Sequence, residues 1–435
     1  MKLFGSSGIR GVVNKEITPA LAIKIGRAVG SAHKKVVVGW DPRTSNELFA
    51  NAVTSGLLSM GADVFSVGMV STPTLAHAGR KFDCGLMITA SHNPSEYNGF
   101  KLWNPDGLAF NTEQMMEIED IILNKETNHS NWNAIGRRRK YTSAIQEHKD
   151  FILKHVKNTD LKVVVDCGSG AASTITPYLL REMGCEVITI NSQPDGYFPG
   201  RDPEPIEKNL DVLKRTVVSC NANLGIAHDG DADRVMAVDE NGKFVSGDLL
   251  LAIFASEVAE KSIVVPVDTS MIIDDVLPNI KIIRTKVGDV FIGECMKKHN
   301  SEFGGEPSGT WIFPKITYCP DAIYAAAKVV EIAAEKPLSE RVSELPTYPI
   351  TRRSIPYTGI KKEELMERLG KELGAIKCSD VNTTDGTRLG FEDGWTLVRV
   401  SGTEPKVRIT VEARKEKRMK ELYEHMNSLV TRCIK

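Results

Sequence analysis

The sequence predicts an α/β protein made of three similar α/β domains in tandem and a smaller C-terminal α+β domain. Three observations carry this prediction. At 435 residues the chain exceeds what one core usually serves, since single cores stop growing at roughly 250–300 residues. Short runs rich in valine and isoleucine alternate with helical patterns as far as Glu335, which is how α/β architecture is written in sequence. Beyond the proline-spaced stretch Pro337, Pro346, Pro349 and Pro356 the texture changes to helix, strands and a charged helix. The expected domains are 1–147, 148–247, 248–345 and 346–435.

Within the first domain, Thr18-Pro19 reads as the cap and first residue of a helix that carries Leu21, Ile25 and Val29 on one face. Strands are expected at 36–39, 64–67 and 85–89, with helices near 47–60 and 75–80 between them. The polar run 124–139 reads as a surface connection to a helix starting near Ser143. A second unit restarts at Lys162-Val163-Val164-Val165 and continues with strands at 186–190 and 224–227. It closes on a hairpin across Asn241-Gly242, a strong two-residue turn signal. The third unit has strands at 263–267, 281–285 and 302–304 and helices near 249–260, 290–298 and 322–335. The last has a helix at 361–373, strands at 397–400 and 407–413, and a charged helix from Lys415.

Charge narrows the functional classes. Lys plus Arg number 55 against 56 for Asp plus Glu, so no general field attracts nucleic acid or an anionic membrane, and any anion site must be local. Eight cysteines are scattered without a C-x-x-C pair, which argues against a zinc site or a disulfide framework and for small buried side chains. No apolar run approaches the ~20 residues that span a bilayer. The N-terminus runs from Met1 directly into a glycine-rich segment, and the expected location is cytoplasmic. Nothing in the sequence opposes a homo-oligomer.

Five segments carry chemistry. Thr89-Ala90-Ser91-His92-Asn93-Pro94 follows an apolar strand, where α/β sheets present functional loops. Ser91, with His92 beside it and Asn93-Pro94 to hold a turn, suits a serine that accepts and returns a phosphoryl group; a plain loop serine would read the same way. Asp229-Gly230-Asp231-Ala232-Asp233-Arg234 places three carboxylates at alternating positions, which suits a hard cation such as Mg²⁺. The glycine and distal glutamate of an EF-hand are missing. Gly304-Gly305-Glu306-Pro307-Ser308-Gly309 offers a carboxylate and a hydroxyl for sugar hydroxyls, or is a plain turn. Arg399-Val400-Ser401-Gly402-Thr403-Glu404-Pro405, with Arg408 following, has the parts of a phosphate cradle or of an ordinary hairpin. Gly5-Ser6-Ser7-Gly8-Ile9-Arg10-Gly11 is either a second phosphate-facing loop or a flexible leader.

In this order and at these separations the segments resemble the α-D-phosphohexomutase family over the whole chain, with 89–94 similar to its phosphoserine loop, 229–234 to its metal loop, 305–309 to its sugar loop and 399–405 to its phosphate loop. The resemblance implies four domains around a central cleft, each giving one loop, with the last able to rotate. It implies a phosphosugar substrate, one Mg²⁺ held by Ser91, Asp229, Asp231 and Asp233, and a hexose 1,6-bisphosphate activator. Phosphorylated Ser91 would give its phosphoryl group to the sugar and take one back from the other position after the bisphosphate reorients. Lys101 and Arg10 would serve proton transfer and phosphoryl stabilisation near Ser91, with His92 a further catalytic residue beside it. Arg234, Lys286, Glu306, Ser308, Arg399, Ser401, Gly402, Thr403 and Arg408 would bind substrate. One position departs from the pattern: bacterial members commonly have histidine just after the sugar-loop glycine, where this chain has Thr310. Ser308 and the run Thr285-Lys286-Val287-Gly288-Asp289 look closer to the phosphoglucosamine mutases of the family, archaeal ones above all, and imply interconversion of glucosamine 6-phosphate and glucosamine 1-phosphate. Phosphomannomutase/phosphoglucomutase activity is the alternative. A non-catalytic phosphosugar-binding protein is a further reading, against which the presence of Ser91 and all three aspartates weighs; a metal-dependent phosphatase is another, which would share the aspartates but has no need for a phosphorylatable serine and two phosphate cradles.

Overall fold

Branched side chains fit a pleated, two-sided environment, and the valine-rich runs become the central strands. The computed structural model describes residues 3–5, 8–125, 128–401 and 405–435. The first sheet has the order Ile9–Val12, Tyr97–Trp103, Cys84–Ile88, Lys35–Trp40, Asp63–Met69, Arg138–Lys140. Its inner strands are parallel, and Tyr97–Trp103 and Ile9–Val12 finish one side antiparallel. Alternation along Lys35–Trp40 feeds both faces: Val36 and Val38 join Ile25, Val53 and Leu57 in one core, while Val37 joins Leu75 and Trp103 in another. A strand buried on both faces reads as a continuous apolar run, as this one does.

Helix Pro19–Ala32 starts where the sequence places it, with Thr18 Oγ1 accepting from Leu21 N at 3.2 Å and Pro19 in the first turn. It crosses helix Asn46–Ser59 at two glycines. A Cβ on Gly26 would lie 2.2 Å from Val53 O, and one on Gly56 would lie 2.3 Å from Ile23 O, so only bare backbone permits this contact.

The second sheet runs Phe244–Val245, Val235–Asp239, Leu224–His228, Lys162–Asp166, Glu186–Ile190. Its hairpin turns at Asn241-Gly242 as expected; Gly242 has φ +77°, and the Asp239 carboxylate accepts from Asn241 N and Lys243 N at 2.9 Å each. The third sheet, Lys281–Thr285, Ser262–Pro266, Phe303–Glu306, Thr310–Ile312, is parallel except for its last pair. The fourth is antiparallel, in the order Ile350–Pro356, Lys406–Ala413, Gly394–Val400, Thr387–Phe391, Asp380–Asn382, with helices Lys362–Gly374 and Glu416–Ile434 sharing its core. This is the α+β texture expected.

The domains are joined unequally. Helix Ala322–Glu335 follows the third sheet in the chain but packs on strands Leu224–His228 and Val235–Asp239, so one hydrophobic core runs through the second and third domains. The first domain meets them at His148, which contacts Thr74 Oγ1 through Nδ1 and Asp321 Oδ2 through Nε2, each at 3.0 Å. The fourth keeps its own core and touches the third through an apolar seam of Val267, Trp395 and Leu397. Beside that seam the fully buried Glu412 accepts from Met271 N at 2.7 Å, Trp395 Nε1 at 2.6 Å and Ser270 Oγ.

Several elements differ from the sequence reading, which names neither helix Thr112–Asn124 nor strands Ile350–Pro356 and Thr387–Phe391. Residues 138–140, expected within a surface connection, form an exposed edge strand on Asp63–Met69. Tyr97–Trp103 is a strand despite Asn98 and Lys101, because both polar side chains find buried partners. Five of the eight cysteines are buried and all are free. Among the described residues no helix is long and apolar enough to cross a membrane.

The two glycine environments give opposite expectations. Gly56→Ala forces the crossing helices apart and is expected to cost about 1–3 kcal/mol, the range for overpacking. Gly370→Ala, on an exposed helical position with nothing within 4 Å of the added Cβ, is expected to stabilise by up to about 1 kcal/mol through helix propensity. Thermal denaturation of the two variants against the parent checks both signs.

Candidate active site

Strand Cys84–Ile88 delivers Ser91 to the carboxyl end of the first sheet, 1% exposed and with φ +51°, the left-handed region that disfavours a residue bearing a Cβ. Ser91 N donates to Thr89 Oγ1 at 2.8 Å, and Thr89 Oγ1 donates to Asp41 Oδ2 at 2.7 Å. Ser91 Oγ donates to Asp229 Oδ2 at 2.7 Å and lies 3.4 Å from Asp233 Oδ1. His92 Nδ1 is 3.3 Å from the same oxygen. Burial, then Arg234 and Arg10, push the His92 imidazole down to about 2, so it offers a neutral hydrogen-bonding group beside Ser91.

The second sheet brings the partner loop. After Leu224–His228 the chain turns through Ala232, φ +57°, and all three aspartates point inward, 0%, 0% and 5% exposed for Asp229, Asp231 and Asp233. One carboxylate oxygen from each lies within 4.8 Å of the others. Gly230 lets this loop approach, since a Cβ there would stand 2.6 Å from Ser91 O. Cations answer the charge. Lys101 Nζ donates to Asp231 Oδ2 at 3.0 Å and to Asp233 Oδ2 at 2.5 Å, and Thr72 Oγ1 donates to Asp231 Oδ2 at 2.6 Å. Burial alone would lower the Lys101 ammonium, but Asp231 and Asp233 overcome it and hold it above the ordinary lysine range. Burial opposes ionisation of Asp231 too, yet Lys101 and Thr72 keep that carboxyl below the usual range. Arg10, whose Nη1 donates to Asn93 Oδ1 at 3.1 Å, and Arg234 add positive charge to the same cluster.

The cluster fits a divalent ion. Burial, then Asp233 and Asp231, raise Asp229 well above its ordinary value, with Arg234 only partly opposing them, so the aspartate that accepts from Ser91 is poorly stabilised as an anion by the side chains around it. Asp231 Oδ1 is buried with no hydrogen-bond partner among the described residues. An all-oxygen donor set with one orphaned oxygen suits Mg²⁺ or a similarly hard ion.

The third domain supplies a hairpin, Phe303–Glu306 and Thr310–Ile312, whose turn is Pro307-Ser308-Gly309, with Gly309 at φ +97°. Val235 N donates to Gly309 O at 3.0 Å and Arg234 pairs with Thr310, which ties this turn to the aspartate loop. Glu306 is 9% exposed and accepts from Gly288 N at 2.8 Å. Burial first, then Asp289, raise its carboxyl to about 7. Ser308 Oγ is 3.5 Å from the buried Thr310 hydroxyl, and Lys286 is exposed with Nζ 5.6 Å from the Phe291 ring centre. In the fourth domain Arg399 Nη1 bonds Asp385 Oδ2 at 2.8 Å, and the same oxygen accepts Val287 N of the third domain at 3.2 Å. Ser401 is buried and Arg408 exposed on the facing strand. Gly402 and Thr403 lie outside the described residues.

The fold therefore brings Ser91, His92, Arg10, Lys101, Arg234 and the three aspartates to one point and sets Glu306 beside them. Sequence reasoning missed Asp41, Arg43 and Thr72. An aspartate directly after the apolar run Lys35–Trp40 was the available signal for the first two. A hydroxyl bonded to a carboxylate, next to a cation-ready carboxylate cluster and fixed positive charge, is an arrangement able to accept and return a phosphoryl group.

Comparison with known proteins agrees with this geometry. Four family models match in order: phosphoglucomutase/phosphomannomutase alpha/beta/alpha domain I over residues 1–129, domain II over 139–242, domain III over 246–348 and the C-terminal domain over 358–428. A relative from Methanosarcina acetivorans named "Probable phosphoglucosamine mutase" is 56% identical, with all of both chains covered. A "Phosphoglucosamine mutase" from Methanocaldococcus jannaschii is 44% identical over all of this chain and 99% of its own. Among solved structures, a phosphoglucomutase/phosphomannomutase family protein from Burkholderia thailandensis superposes with TM-score 0.88 at 27% identity, covering 99% of this chain and 97% of that one. Matched from end to end in its sequence, its four domains and its fold, the chain belongs to the phosphoglucomutase/phosphomannomutase family, the α-D-phosphohexomutases.

Proposed function

We propose that this protein is a phosphoglucosamine mutase that interconverts glucosamine 6-phosphate and glucosamine 1-phosphate through a phosphorylated Ser91. The observation that carries the reaction class is Ser91 Oγ at 2.7 Å from Asp229 inside a buried, cation-ready carboxylate cluster. The names of the full-length relatives support the sugar.

In the forward half, a sugar hydroxyl attacks the phosphorus of phosphoserine; the bond from Ser91 Oγ to phosphorus breaks as the sugar oxygen–phosphorus bond forms, and the hydroxyl's proton ends on Ser91 Oγ, leaving a bisphosphate. After the sugar turns over, Ser91 Oγ attacks the other phosphate; the Ser91 oxygen–phosphorus bond forms as the sugar oxygen–phosphorus bond breaks, and the serine proton ends on the departing sugar oxygen. Mg²⁺ bound by Asp229, Asp231, Asp233 and the Ser91 oxygens would neutralise charge on the group in transfer. The chain's own residues do the rest. Lys101, held charged by its aspartates, and Arg10 stabilise the negative oxygens rather than trade protons. Glu306 and Ser308 receive sugar hydroxyls, Arg234 and Lys286 assist on that side, and Arg399, Ser401, Gly402, Thr403 and Arg408 hold the phosphate that is not reacting. The dry, mostly buried surroundings of Ser91 keep water from the phosphoserine.

The deciding measurement is the initial rate with Mg²⁺ and a trace of the matching hexose 1,6-bisphosphate on glucosamine, glucose and mannose phosphates. Preference for glucosamine phosphate is expected. Preference for mannose or glucose would move the assignment to phosphomannomutase/phosphoglucomutase, and no turnover of any would overturn the enzyme reading. In the same assay Ser91→Ala is expected to abolish turnover nearly completely.

Asp231→Asn removes the orphaned oxygen's charge while leaving a side chain of the same shape. Weaker Mg²⁺ binding, by about tenfold or more, is expected in calorimetric titration; unchanged affinity would detach Asp231 from the metal.

Glu306 gives a pH signature. Because its carboxyl titrates near 7, it is protonated below that pH and ionised above, and sugar hydroxyls donate best to the ionised form. The value of kcat/KM is expected to rise as pH passes from 6 to 8. Glu306→Gln should lower kcat/KM and flatten that rise.

A further inference from the structure

A serine at φ +51° needs its peptide held, and the holder is a residue outside the sequence motifs. Arg43 has a fully buried side chain, and each of its side-chain nitrogens is engaged. Nε bonds Asp41 Oδ2 at 3.1 Å. Nη1 donates to Pro94 O at 2.6 Å and Tyr97 O at 2.9 Å, and Nη2 donates to Ser91 O at 2.8 Å and Asn93 O at 2.6 Å. A rigid guanidinium fork thus reads four carbonyls of the loop that carries Ser91. Asp41 completes the grip from the other side. Its Oδ2 accepts from Thr89 Oγ1, the atom that accepts Ser91 N, so both backbone polar groups of Ser91 are tied to the Asp41–Arg43 pair.

The same residue meets the second domain. The guanidinium carbon of Arg43 lies 5.1 Å from the Phe198 ring centre, and a Cβ on Gly196 would stand 2.7 Å from Arg43 Cα. Phe198 in turn reaches the aspartate loop: a Cβ on Gly230 would stand 3.4 Å from its ring and 2.6 Å from Ser91 O. The serine loop and the second-domain turn therefore meet at Arg43, and Phe198 carries the contact on to the aspartate loop, while the guanidinium's hydrogen bonds go to none of the three metal-loop carboxylates and not to Ser91 Oγ.

We propose that Arg43 is a positioning residue for phosphoryl transfer, fixing Ser91 Oγ against the Asp229, Asp231 and Asp233 carboxylates by holding the Ser91 peptide, without itself binding substrate. The inference rests on Ser91 being the phosphoryl carrier. Misplacing a reacting atom by about 1 Å costs on the order of 100-fold in rate, which sets the expected size of the effect.

The test compares Arg43→Lys and Arg43→Ala with the parent by kcat and KM, by thermal midpoint, and by uptake of phosphoryl onto Ser91 from glucose 1,6-bisphosphate followed by intact-protein mass spectrometry. Expected are a kcat about 100-fold lower with KM within about threefold, slower Ser91 phosphorylation in proportion, and partial recovery of Arg43→Ala by millimolar guanidinium ion. A folded Arg43→Lys with the parent's kcat and phosphorylation rate would overturn the proposal. So would a raised KM at unchanged kcat, which would make Arg43 a substrate contact, or a loss of rate that only tracks the unfolded fraction and resists guanidinium. Because uptake is read on Ser91 itself, as variant against parent with one bisphosphate, and not on turnover of glucosamine phosphate, slowed uptake in the variants would uphold the role of Arg43 even if the proposed sugar proved wrong.

Discussion

Three carboxylates buried within 4.8 Å of one another repel and have lost their water, and the rest of the molecule is arranged around offsetting that cost. A single domain does not do it. The aspartates come from the second sheet, whereas Lys101 and Arg10 stand on strands of the first and Thr72 caps Asp231 from a first-domain helix. Each domain thus brings a charge that is unfavourable alone and favourable against its neighbour. That explains why Lys101 can occupy the middle of a buried strand: its ammonium is spent on Asp231 and Asp233 rather than left unpaired in the core.

The unequal joining of the domains follows from the same site. Exchange of helix Ala322–Glu335 onto the second sheet fuses the second and third domains, which locks the aspartate loop to the hairpin of Glu306 through Arg234, Val235 and Thr310. His148, bonded to Thr74 and Asp321, fastens the first domain to that unit close to the segment that carries Thr72. The fourth domain has a separate core and a polar anchor at Glu412. A site that must transfer a charged group between fixed partners, yet admit and turn a sugar, needs this division between a rigid part and a separately folded one.

Apolar periodicity made the parallel strands legible. Residues 186–190 and 281–285 are strands within the limits the sequence suggests, and helix Ala322–Glu335 likewise, because apolar residues mark them and their ends carry turn or capping residues. What escaped were Tyr97–Trp103, whose Asn98 and Lys101 are satisfied only in three dimensions, Arg138–Lys140, an edge strand with no apolar face at all, and further elements such as helix Thr112–Asn124 and strands Ile350–Pro356 and Thr387–Phe391. The chemistry divides in the same way. Ser91 and the alternating aspartates stand out as local motifs, but Arg43 and Thr72 act on groups 48 to 159 residues distant, and one sequence contains no trace of such a pairing.

Electrostatics also differ from one side of the cleft to the other. Around Ser91 the two neighbouring nitrogen bases keep fixed charge states: Lys101 is held charged by two aspartates, and His92 is held neutral by burial and two arginines. On the sugar side Glu306 titrates to about 7, and the neighbouring position is Thr310, a hydroxyl that does not titrate. Near neutral pH Lys101 and His92 therefore keep their charge states through small changes in acidity, while Glu306 does not. The Glu306 carboxylate is poised because burial like that of the clustered aspartates strips it of water, with Asp289 adding to the effect and Arg234 only partly opposing it.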